Sequence, residues 1–530
     1  MNREQDSSQL TPILGDPALS ASSSSSAAQN HPSHMKPSNS DLANQRITLF
    51  CLKCAFIVAL TPLQFGYKMS ELNIIKDSIV ECSSDTSKDF HWSLPRCLPM
   101  ADSVFAFATS VFALAGLFGS LLAGYLCDRF GRKRSLFITQ LILFVGVTIQ
   151  TFSLSPAILV VGRFVSGFGS GVCLVAAPMY LTEIAPPKRR GALNLLTQFG
   201  IVIGVVLGMI MGYFFRVGNR WRMVFFIAMA ICIVNFFLLF FIVESPKYLH
   251  HLGRESDAIA VLKRLRQVDE VSEEFDSWNT TETPVQTNSP SFSQGASSSA
   301  QSITTPTGSP KIGSPNSAQK KINIFNIFRI RKYRQPLFLV FALMAGQQLT
   351  GVNAVTFYSN SIFQKYYSDK TSSILTIIFG VVNAISTVPP IFLVERVGRR
   401  FLLLFSSIMM FICLILLCIG VLKNNPALSV TGVFSSVSAF EFGLGPLPLL
   451  LSTELFDTKA VATGNSFTLS INWTFTFVVG VTFFSLQHAI GDYIFVLYAS
   501  FLFVFTLIYF FLLPETKHKT FEEVSREFVF

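Results

Sequence analysis

Long apolar windows alternate with short polar segments along most of the chain. A helix needs about 20 apolar residues to cross the roughly 30 Å hydrocarbon core of a bilayer. Windows of this length lie on both sides of a long polar gap, six on each side. The sequence therefore predicts an all-α membrane protein with twelve transmembrane helices, spans 1 to 12, near residues 47–67, 102–126, 135–155, 158–181, 192–215, 222–243, 336–358, 372–394, 401–423, 430–453, 464–486 and 492–513.

The polar segments divide the chain into five parts. Residues 1–45 are rich in Ser, Asn and Pro, which predicts a disordered N-terminal tail. The two groups of six spans occupy residues 46–243 and 336–513, the N-half and the C-half. The central loop, residues 244–335, begins with charged helical sequence and continues as a Ser/Thr/Pro-rich insert that is predicted to be disordered. Residues 514–530 form a short C-terminal tail.

The composition supports a membrane protein and excludes a soluble enzyme. Only 14% of the residues are charged, whereas soluble domains have roughly 25%. The net charge is +10, and Lys and Arg cluster in the 2–3, 4–5 and 8–9 loops, with one exception between spans 5 and 6 at Arg216, Arg220 and Arg222. Basic residues favour the cytoplasmic side of a membrane, so we expect both termini and the central loop to be cytoplasmic. This distribution accounts for the basic excess without nucleic acid as a partner.

The two halves repeat the same charged motifs at similar spacing. Residues 128–133 (DRFGRK) recur as residues 395–400 (ERVGRR). Glu183 and Glu244, after spans 4 and 6, recur as Glu454 and Glu515, after spans 10 and 12. Two pseudo-symmetric six-helix halves are typical of alternating-access transporters, with the substrate site between the halves near the bilayer midplane.

Several polar side chains fall near the predicted membrane centre, where polar groups are costly and commonly functional. They are mostly neutral donors and acceptors, which suits a neutral polyhydroxylated ligand better than an inorganic ion. Hydrogen bonding between packed helices is the alternative interpretation. Trp473 is the best candidate to cover the apolar face of a sugar ring. The candidate binding residues are Gln198, Gln347, Gln348, Asn353, Asn383, Glu441, Asn472 and Trp473.

Two further patterns predict moving parts. Gly443, Gly445, Pro446 and Pro448 follow Glu441 in span 10, where they break helical hydrogen bonding and predict a gating hinge. Acidic and basic residues recur together at the cytoplasmic ends of the spans. We expect them to form interhelical salt bridges that close an inner gate, although positive-inside topology alone would explain the bases. These residues are Asp128, Arg132, Glu183, Arg190, Glu244, Glu395, Arg399, Arg400, Glu454 and Glu515.

The ordered motifs resemble the facilitative hexose transporters of animals, in the sugar porter branch of the major facilitator superfamily. The resemblance runs from about Arg46 to Phe521. It implies a rocker-switch carrier whose sugar contacts fall at Gln198, Gln347, Gln348, Asn353, Asn383 and Glu441, with Tyr358 occluding the site from outside. The matching segments are Leu63–Tyr67, Asp128–Lys133, Gly162–Phe164, Pro178–Tyr180, Arg190–Leu193, Glu244–Lys247, Gln347–Ala354, Glu395–Arg400 and Pro514–Lys517.

Four positions depart from the family pattern. Lys68 stands where proton-coupled relatives carry Asp and uniporters commonly carry Asn, so proton coupling at this position is not expected. Lys68 is also expected to alter the extracellular vestibule. Leu449 replaces a Trp common in glucose carriers, which removes a stacking surface. Thr476 replaces an Asn, and Val461 replaces an Arg, with Lys459 two residues earlier.

The sequence therefore predicts passive hexose transport, of D-glucose before fructose, galactose, dehydroascorbate or a polyol, with no covalent chemistry, cofactor or metal. A sugar sensor or transport-inactive paralogue is one alternative, motivated by Lys68, Leu449 and Val461. A proton–sugar symporter that uses Glu441 is another. The plasma membrane is the expected location. Cys82 and Cys97 share one polar loop and could form a disulfide if that loop faces the outside.

Overall fold

The computed structural model describes residues 47–81, 94–186, 189–280, 327–457, 460–517, 519 and 521–528, which form helices and turns and no strand. Helices occupy every predicted window, which confirms the all-α membrane fold. Spans 1 to 6 are Leu49–Ser70, Asp102–Phe130, Arg132–Thr151, Pro156–Ile184, Arg190–Phe215 and Arg222–Leu238. Spans 7 to 12 are Arg334–Leu349 with Val352–Gln364, Asp369–Ser386 with Val388–Val397, Arg399–Leu422, Pro426–Glu441 with Leu447–Glu454, Val461–Ile490, and Ile494–Leu512.

Ten stretches of the described residues are long and apolar enough to cross a membrane. One of them, Thr463–Leu512, contains both span 11 and span 12, joined by a short 3-10 turn at Gly491–Tyr493. Span 10 is missing from these ten because a break divides it into pieces of 16 and 8 residues. The ten stretches and the broken helix together account for the twelve spans.

Because each half has six spans, the start of span 1, the central loop and the end of span 12 lie at one end of the bundle, here called the terminal face. The other end is the opposite face. Three short helices, Pro246–His251, Glu255–Arg266 and Ser272–Thr280, begin the central loop at the terminal face. Two segments are predicted to be disordered, the N-terminal tail at 1–45 and the insert at about 278–318. They lie outside the described residues, except that residues 278–280 form the end of the helix Ser272–Thr280.

The two halves pack against each other through three pairs of helices: spans 2 and 11, spans 5 and 8, and spans 1 and 7. Between described residues, the hydrogen bonds and ion pairs that join the halves all lie toward the opposite face. Toward the bundle centre, Met209 of span 5 reaches Gly380 of span 8, and Trp473 of span 11 reaches Gly116 of span 2. The structure is therefore closed at the opposite face.

Candidate substrate site and gates

Spans 7 and 10 are both interrupted at the level of the predicted polar residues. Span 7 breaks at Gly351, whose φ of 76° interrupts the helix. Span 10 breaks after Glu441 and resumes at Leu447, with Pro446 immediately before the second piece and Pro448 in its first turn. The predicted break in span 10 is present, and its use as a hinge stays a prediction. A broken helix leaves backbone carbonyls without intrahelical partners, which is tolerated at membrane depth only where they are buried in protein or line a cavity.

Gln347 supplies the partners that the break in span 10 requires. Its amide nitrogen donates to the Leu444 carbonyl at 2.7 Å and to the Gly445 carbonyl at 2.8 Å. Each buried carbonyl left unpaired would cost about 1–3 kcal/mol. The side chain of Gln347 therefore links the two broken helices and fixes their relative position.

A cluster of four predicted residues extends from Gln347. Its side-chain oxygen accepts hydrogen bonds from Gln348 at 3.1 Å and from Asn472 of span 11 at 2.9 Å. Asn353, just after the break in span 7, donates to the side-chain oxygen of Gln348. Gln347 and Gln348 are buried, whereas Asn353 and Asn472 are partly exposed. The cluster thus presents partly exposed amides that can both donate and accept hydrogen bonds.

Glu441 forms a second polar group beside this cluster. Its carboxylate accepts a hydrogen bond from the Thr387 hydroxyl at 3.3 Å, and Asn383 lies within reach of the same carboxyl group. Glu441 is the last residue before the break in span 10, and Gly445, whose carbonyl Gln347 binds, lies within the same break. The structure therefore brings together Gln347, Gln348, Asn353, Asn472, Asn383 and Glu441 around the two broken helices.

Gln198 and Trp473 differ from these six residues. Gln198 is partly exposed on span 5 and makes no hydrogen bond with another described residue. Trp473 is only 3% exposed, and a Cβ on Gly116 would lie 2.8 Å from its ring. Its ring also meets Phe65 of span 1 edge to face, with centroids 5.9 Å apart. In this conformation Trp473 packs between the halves, so its contact with a sugar ring stays a prediction.

The opposite face is closed by residues at the ends of spans 1 and 7. Tyr358 is fully buried, donates to the Gly480 carbonyl at 3.3 Å and stacks on Phe483. Asn73, just after span 1, donates to the Thr356 carbonyl and the Ser359 hydroxyl, both at 2.8 Å. The Asn73 oxygen accepts from the backbone N–H of residue 360 at 3.2 Å. Asn73 could not be recognised from the sequence, because nothing in its local pattern reveals a partner almost 300 residues away.

Replacing Asn73 with alanine is expected to favour opening of the opposite face. The change removes three hydrogen bonds between the halves, each worth about 0.5–1.5 kcal/mol, which shifts the equilibrium roughly 10- to 1000-fold. Labelling of a cysteine introduced at Ser110, buried on span 2 beneath this gate, by an impermeant maleimide should accelerate accordingly. Ser78→Ala removes a hydrogen bond within the N-half only and should leave the labelling rate unchanged. Equal rates in the Asn73→Ala and parent proteins would contradict the gate.

The repeated motifs at the terminal face fold alike in both halves. Gly131 and Gly398, which precede spans 3 and 9, have φ values of 88° and 104°, a region that favours glycine. Glu244 accepts hydrogen bonds from the backbone N–H groups of residues 132, 133 and 245 at 2.9–3.0 Å. Glu515 does the same for residues 399, 400 and 517 at 3.0–3.1 Å. Each carboxylate thus caps the positive N-terminal end of a span.

The arginines of these motifs bind the other repeated acid. Arg132 pairs with Glu183 at 2.9 Å in the N-half, and Arg399 pairs with Glu454 at 3.3 Å in the C-half. Both pairs lie within one half, so their role in an inner gate stays a prediction. Among the other predicted gating residues, Asp128 lies 3.8 Å from Arg132, and Arg400 donates to the Phe510 carbonyl. The buried Nε of Arg190 has no hydrogen-bond partner among the described residues. The side chain of Glu395 lies outside the described part of the chain.

Lys68 lies inside the N-half in this conformation, which is closed at the opposite face, so its expected effect on an extracellular vestibule stays a prediction. It is 1% exposed inside the N-half, with its ammonium nitrogen 3.6 Å from Glu71, one helical turn later. Arg163 of span 4 binds the same carboxylate at 2.8 Å and donates to the Lys68 carbonyl at 2.9 Å. A charge buried in the bilayer requires such a partner. The residue that departs from the family pattern is therefore part of a buried cluster of three charges.

The other residues that depart from the family pattern are Leu449, Thr476 and Val461. Leu449 is 50% exposed in the second piece of span 10, so a larger side chain has room there. Thr476 donates to the Asn472 carbonyl at 2.8 Å, within span 11. Val461 begins span 11, and Lys459 lies outside the described residues.

Asp457 connects the loop before span 11 to the start of span 7. It accepts hydrogen bonds from Tyr333 at 2.8 Å and Lys332 at 3.2 Å. Partial burial opposes ionisation of Asp457, but these two donors outweigh it and hold the pKa of the carboxyl below its ordinary value. This connection therefore persists at neutral pH.

Cys97, in the loop between spans 1 and 2, is disulfide-bonded, whereas seven other cysteines, including Cys51 and Cys54, are free. Its predicted partner Cys82 lies outside the described residues.

Comparisons with known proteins agree with the fold and the motifs. Residues 54–528 match the family model described as sugar (and other) transporter. Facilitated glucose transporter member 2 of the pig is 33% identical over 436 residues, which cover 80% of this chain and 77% of the relative. Facilitated glucose transporter member 3 of the dog is 31% identical over 499 residues, covering 92% of this chain and 94% of the relative.

The fold also matches solved structures. The inward-open xylose transporter XylE of E. coli superimposes with a TM-score of 0.70 at 20% identity and covers 90% of this chain and 100% of its own. The partially occluded inward-open form of the same protein gives a TM-score of 0.69 and covers 89% of this chain. These likenesses show the major facilitator fold. Together with the family model and the identities to animal relatives, they establish that the chain is a multi-pass membrane protein belonging to the sugar (and other) transporter family.

Proposed function

We propose that the chain is a uniporter that moves a hexose, D-glucose first, down its concentration gradient by alternating access. The observation that carries the proposal is the polar cluster at the two broken helices, where Gln347 links spans 7, 10 and 11. Its partly exposed members, such as Asn353 and Asn472, can replace the hydration of sugar hydroxyls. The relatives at 31–33% identity are named as facilitated glucose transporters, which supports the same substrate class.

Uniport is supported by the charges beside span 1. The resemblance places the coupling acid at position 68, and this chain has Lys68 there. The nearby carboxylate of Glu71 is shared by two cations, Lys68 and Arg163. An ammonium group at position 68 cannot act as the proton-accepting carboxylate that coupling at this position requires.

The orientation is proposed from charge and redox chemistry. The basic loops of the terminal face favour the cytoplasm. The disulfide at Cys97, on the opposite face, favours an oxidising environment outside the cell. A plasma-membrane carrier with cytoplasmic termini fits both, and in that orientation the structure is closed toward the outside. When the carrier changes to the state that is open toward the outside, the Asn73 contacts would break and the two halves would close over the terminal face.

The test is uptake of labelled D-glucose into liposomes that contain the purified protein, with unlabelled D-fructose, D-galactose and L-glucose as competitors. We expect saturable flux that D-glucose inhibits and L-glucose does not, with no dependence on a pH gradient. Flux that requires an inward proton gradient would replace uniport with symport. Protection from thermal unfolding by D-glucose without flux would indicate a sensor or a transport-inactive protein.

Replacing Leu449 with tryptophan is expected to strengthen D-glucose binding. Leu449 is half exposed, and an indole there offers a flat surface for a sugar ring. A stacking contact worth about 1 kcal/mol corresponds to roughly a fivefold lower KM. The KM for D-glucose uptake is the measurement, and Leu449→Ala, which adds no surface, is the control. A KM that rises in Leu449→Trp would show that position 449 does not face the sugar.

A further inference from the structure

A pocket of about 350 Å³ lies at the opposite face. Its walls come from the second piece of span 7 and the end of span 11, and Asp102 at the start of span 2 contributes from the other half. This volume lies within the range of small-molecule sites. The pocket exists while the opposite face is closed, so the central polar cluster does not explain it.

The pocket combines an aromatic wall with polar groups that have few partners. Phe483 and Phe484 line it, and both are largely buried. The side chains of Ser361 and Gln487 also line it, and they make no hydrogen bond with another described residue. His488 is 75% exposed and lies 3.9 Å from the carboxylate of Asp102. A few convergent polar groups on an apolar wall are typical of a ligand site.

The charges at this pocket favour a neutral ligand. Lys76 already pairs with Asp102 at 2.8 Å, and its ammonium lies 4.4 Å from the ring centroid of Phe484. Because Lys76 and Asp102 neutralise each other, the pair attracts neither a further cation nor an anion strongly. A neutral ligand with several hydroxyls can instead bind the amide of Gln487 and the hydroxyl of Ser361, and can cover Phe484 with its apolar face.

We propose that this pocket is a second hexose site, separate from the central cluster and accessible when the opposite face is closed. The inference rests on the proposed function, because it assigns the same substrate class to another site. A hexose that contacts both Asp102 and Gln487 touches both halves in their closed arrangement. Bound sugar therefore stabilises the closed opposite face.

The experiment counts D-glucose sites on the full-length protein in lipid nanodiscs, by equilibrium dialysis of labelled D-glucose up to saturation. We expect two saturable components in the parent protein. Gln487→Leu should remove one component, and Gln347→Leu, in the central cluster, should remove the other. Ser485→Leu is the matched control, since Ser485 is exposed on the same helix and does not line the pocket. Thermal unfolding of each variant checks that it is folded.

The outcomes separate this inference from the proposed function. A single component that Gln347→Leu removes and Gln487→Leu does not would overturn the second site and leave the hexose carrier intact. Two components of which neither is reduced by Gln487→Leu would also overturn this location for the site. Absence of D-glucose binding in the parent protein would overturn the hexose assignment itself, and the second site with it.

Discussion

Replacing Glu71 with glutamine is expected to destabilise the folded protein by about 3–5 kcal/mol, the usual cost of removing one partner from a buried ion pair. Glu71 is fully buried and binds both Lys68 and Arg163, which are also buried. Without its carboxylate, two cations remain inside the N-half with no anion among the described residues beside them. Thermal unfolding of purified protein in detergent should show a large drop in midpoint and a poor yield of folded protein.

Replacing Lys68 with methionine, in contrast, is not expected to destabilise the folded protein. Glu71 and Arg163 then remain as one matched pair, and methionine fills a similar volume without a charge. We expect stability at least equal to that of the parent protein, because an apolar replacement of a buried charge is often neutral or stabilising. The double variant Lys68→Met/Glu71→Gln leaves only Arg163 unpaired and should fall between the two. A Glu71→Gln protein as stable as the parent would show that Glu71 does not compensate these cations.

The buried cluster of Lys68, Glu71 and Arg163 could be predicted only in part from the sequence. Lys68 is recognisable in the sequence as a departure from the family, and Glu71 follows it by three residues, a spacing at which helical side chains meet. Arg163 comes from span 4, about 90 residues away. Which faces of spans 1 and 4 meet is decided by tertiary packing, which local sequence does not contain. The partners of Lys68 therefore needed the structure.

The spans themselves were predictable because membrane thickness sets their length and lipid sets their composition. The duplication of the halves was also visible, through the motifs that contain Gly131 and Gly398. The hydrogen-bond partners of the repeated acids Glu244 and Glu515 were not predictable. In this conformation Glu244 and Glu515 accept hydrogen bonds from backbone N–H groups of the repeated motifs. That arrangement depends on the positive φ of the two glycines, a backbone property that residue spacing does not reveal.

The residues of the central polar cluster were predictable from their depth in the membrane. Residues eleven or twelve positions into neighbouring spans reach the same level, and so Gln347 and Glu441 were selected together. Depth along a span does not specify which side of the helix a residue occupies. Trp473 was selected with Asn472 for that reason, yet its ring packs against Gly116 between the halves. Asn73 was missed because it lies outside the apolar window of span 1.

Replacing Gln347 with leucine is expected to reduce D-glucose transport about 10- to 100-fold. The change removes the donor to the carbonyls of Leu444 and Gly445 and the acceptor for Gln348 and Asn472. Two net hydrogen bonds, at about 0.5–1.5 kcal/mol each, correspond to roughly this range. Initial rates of D-glucose uptake into liposomes, normalised to folded protein, are the measurement.

Gln348→Leu is the matched control for this prediction. Gln348 occupies the next position on the same helix and is buried to a similar degree, but it binds only other side chains and no carbonyl of the span 10 break. Its replacement should therefore reduce transport less than Gln347→Leu and should leave the break intact. If the two variants lose transport equally, sugar contact rather than support of the broken helix explains the role of Gln347. If Gln347→Leu transports as well as the parent protein, the polar cluster is not the sugar site, and the amides serve only to hold spans 7, 10 and 11 together.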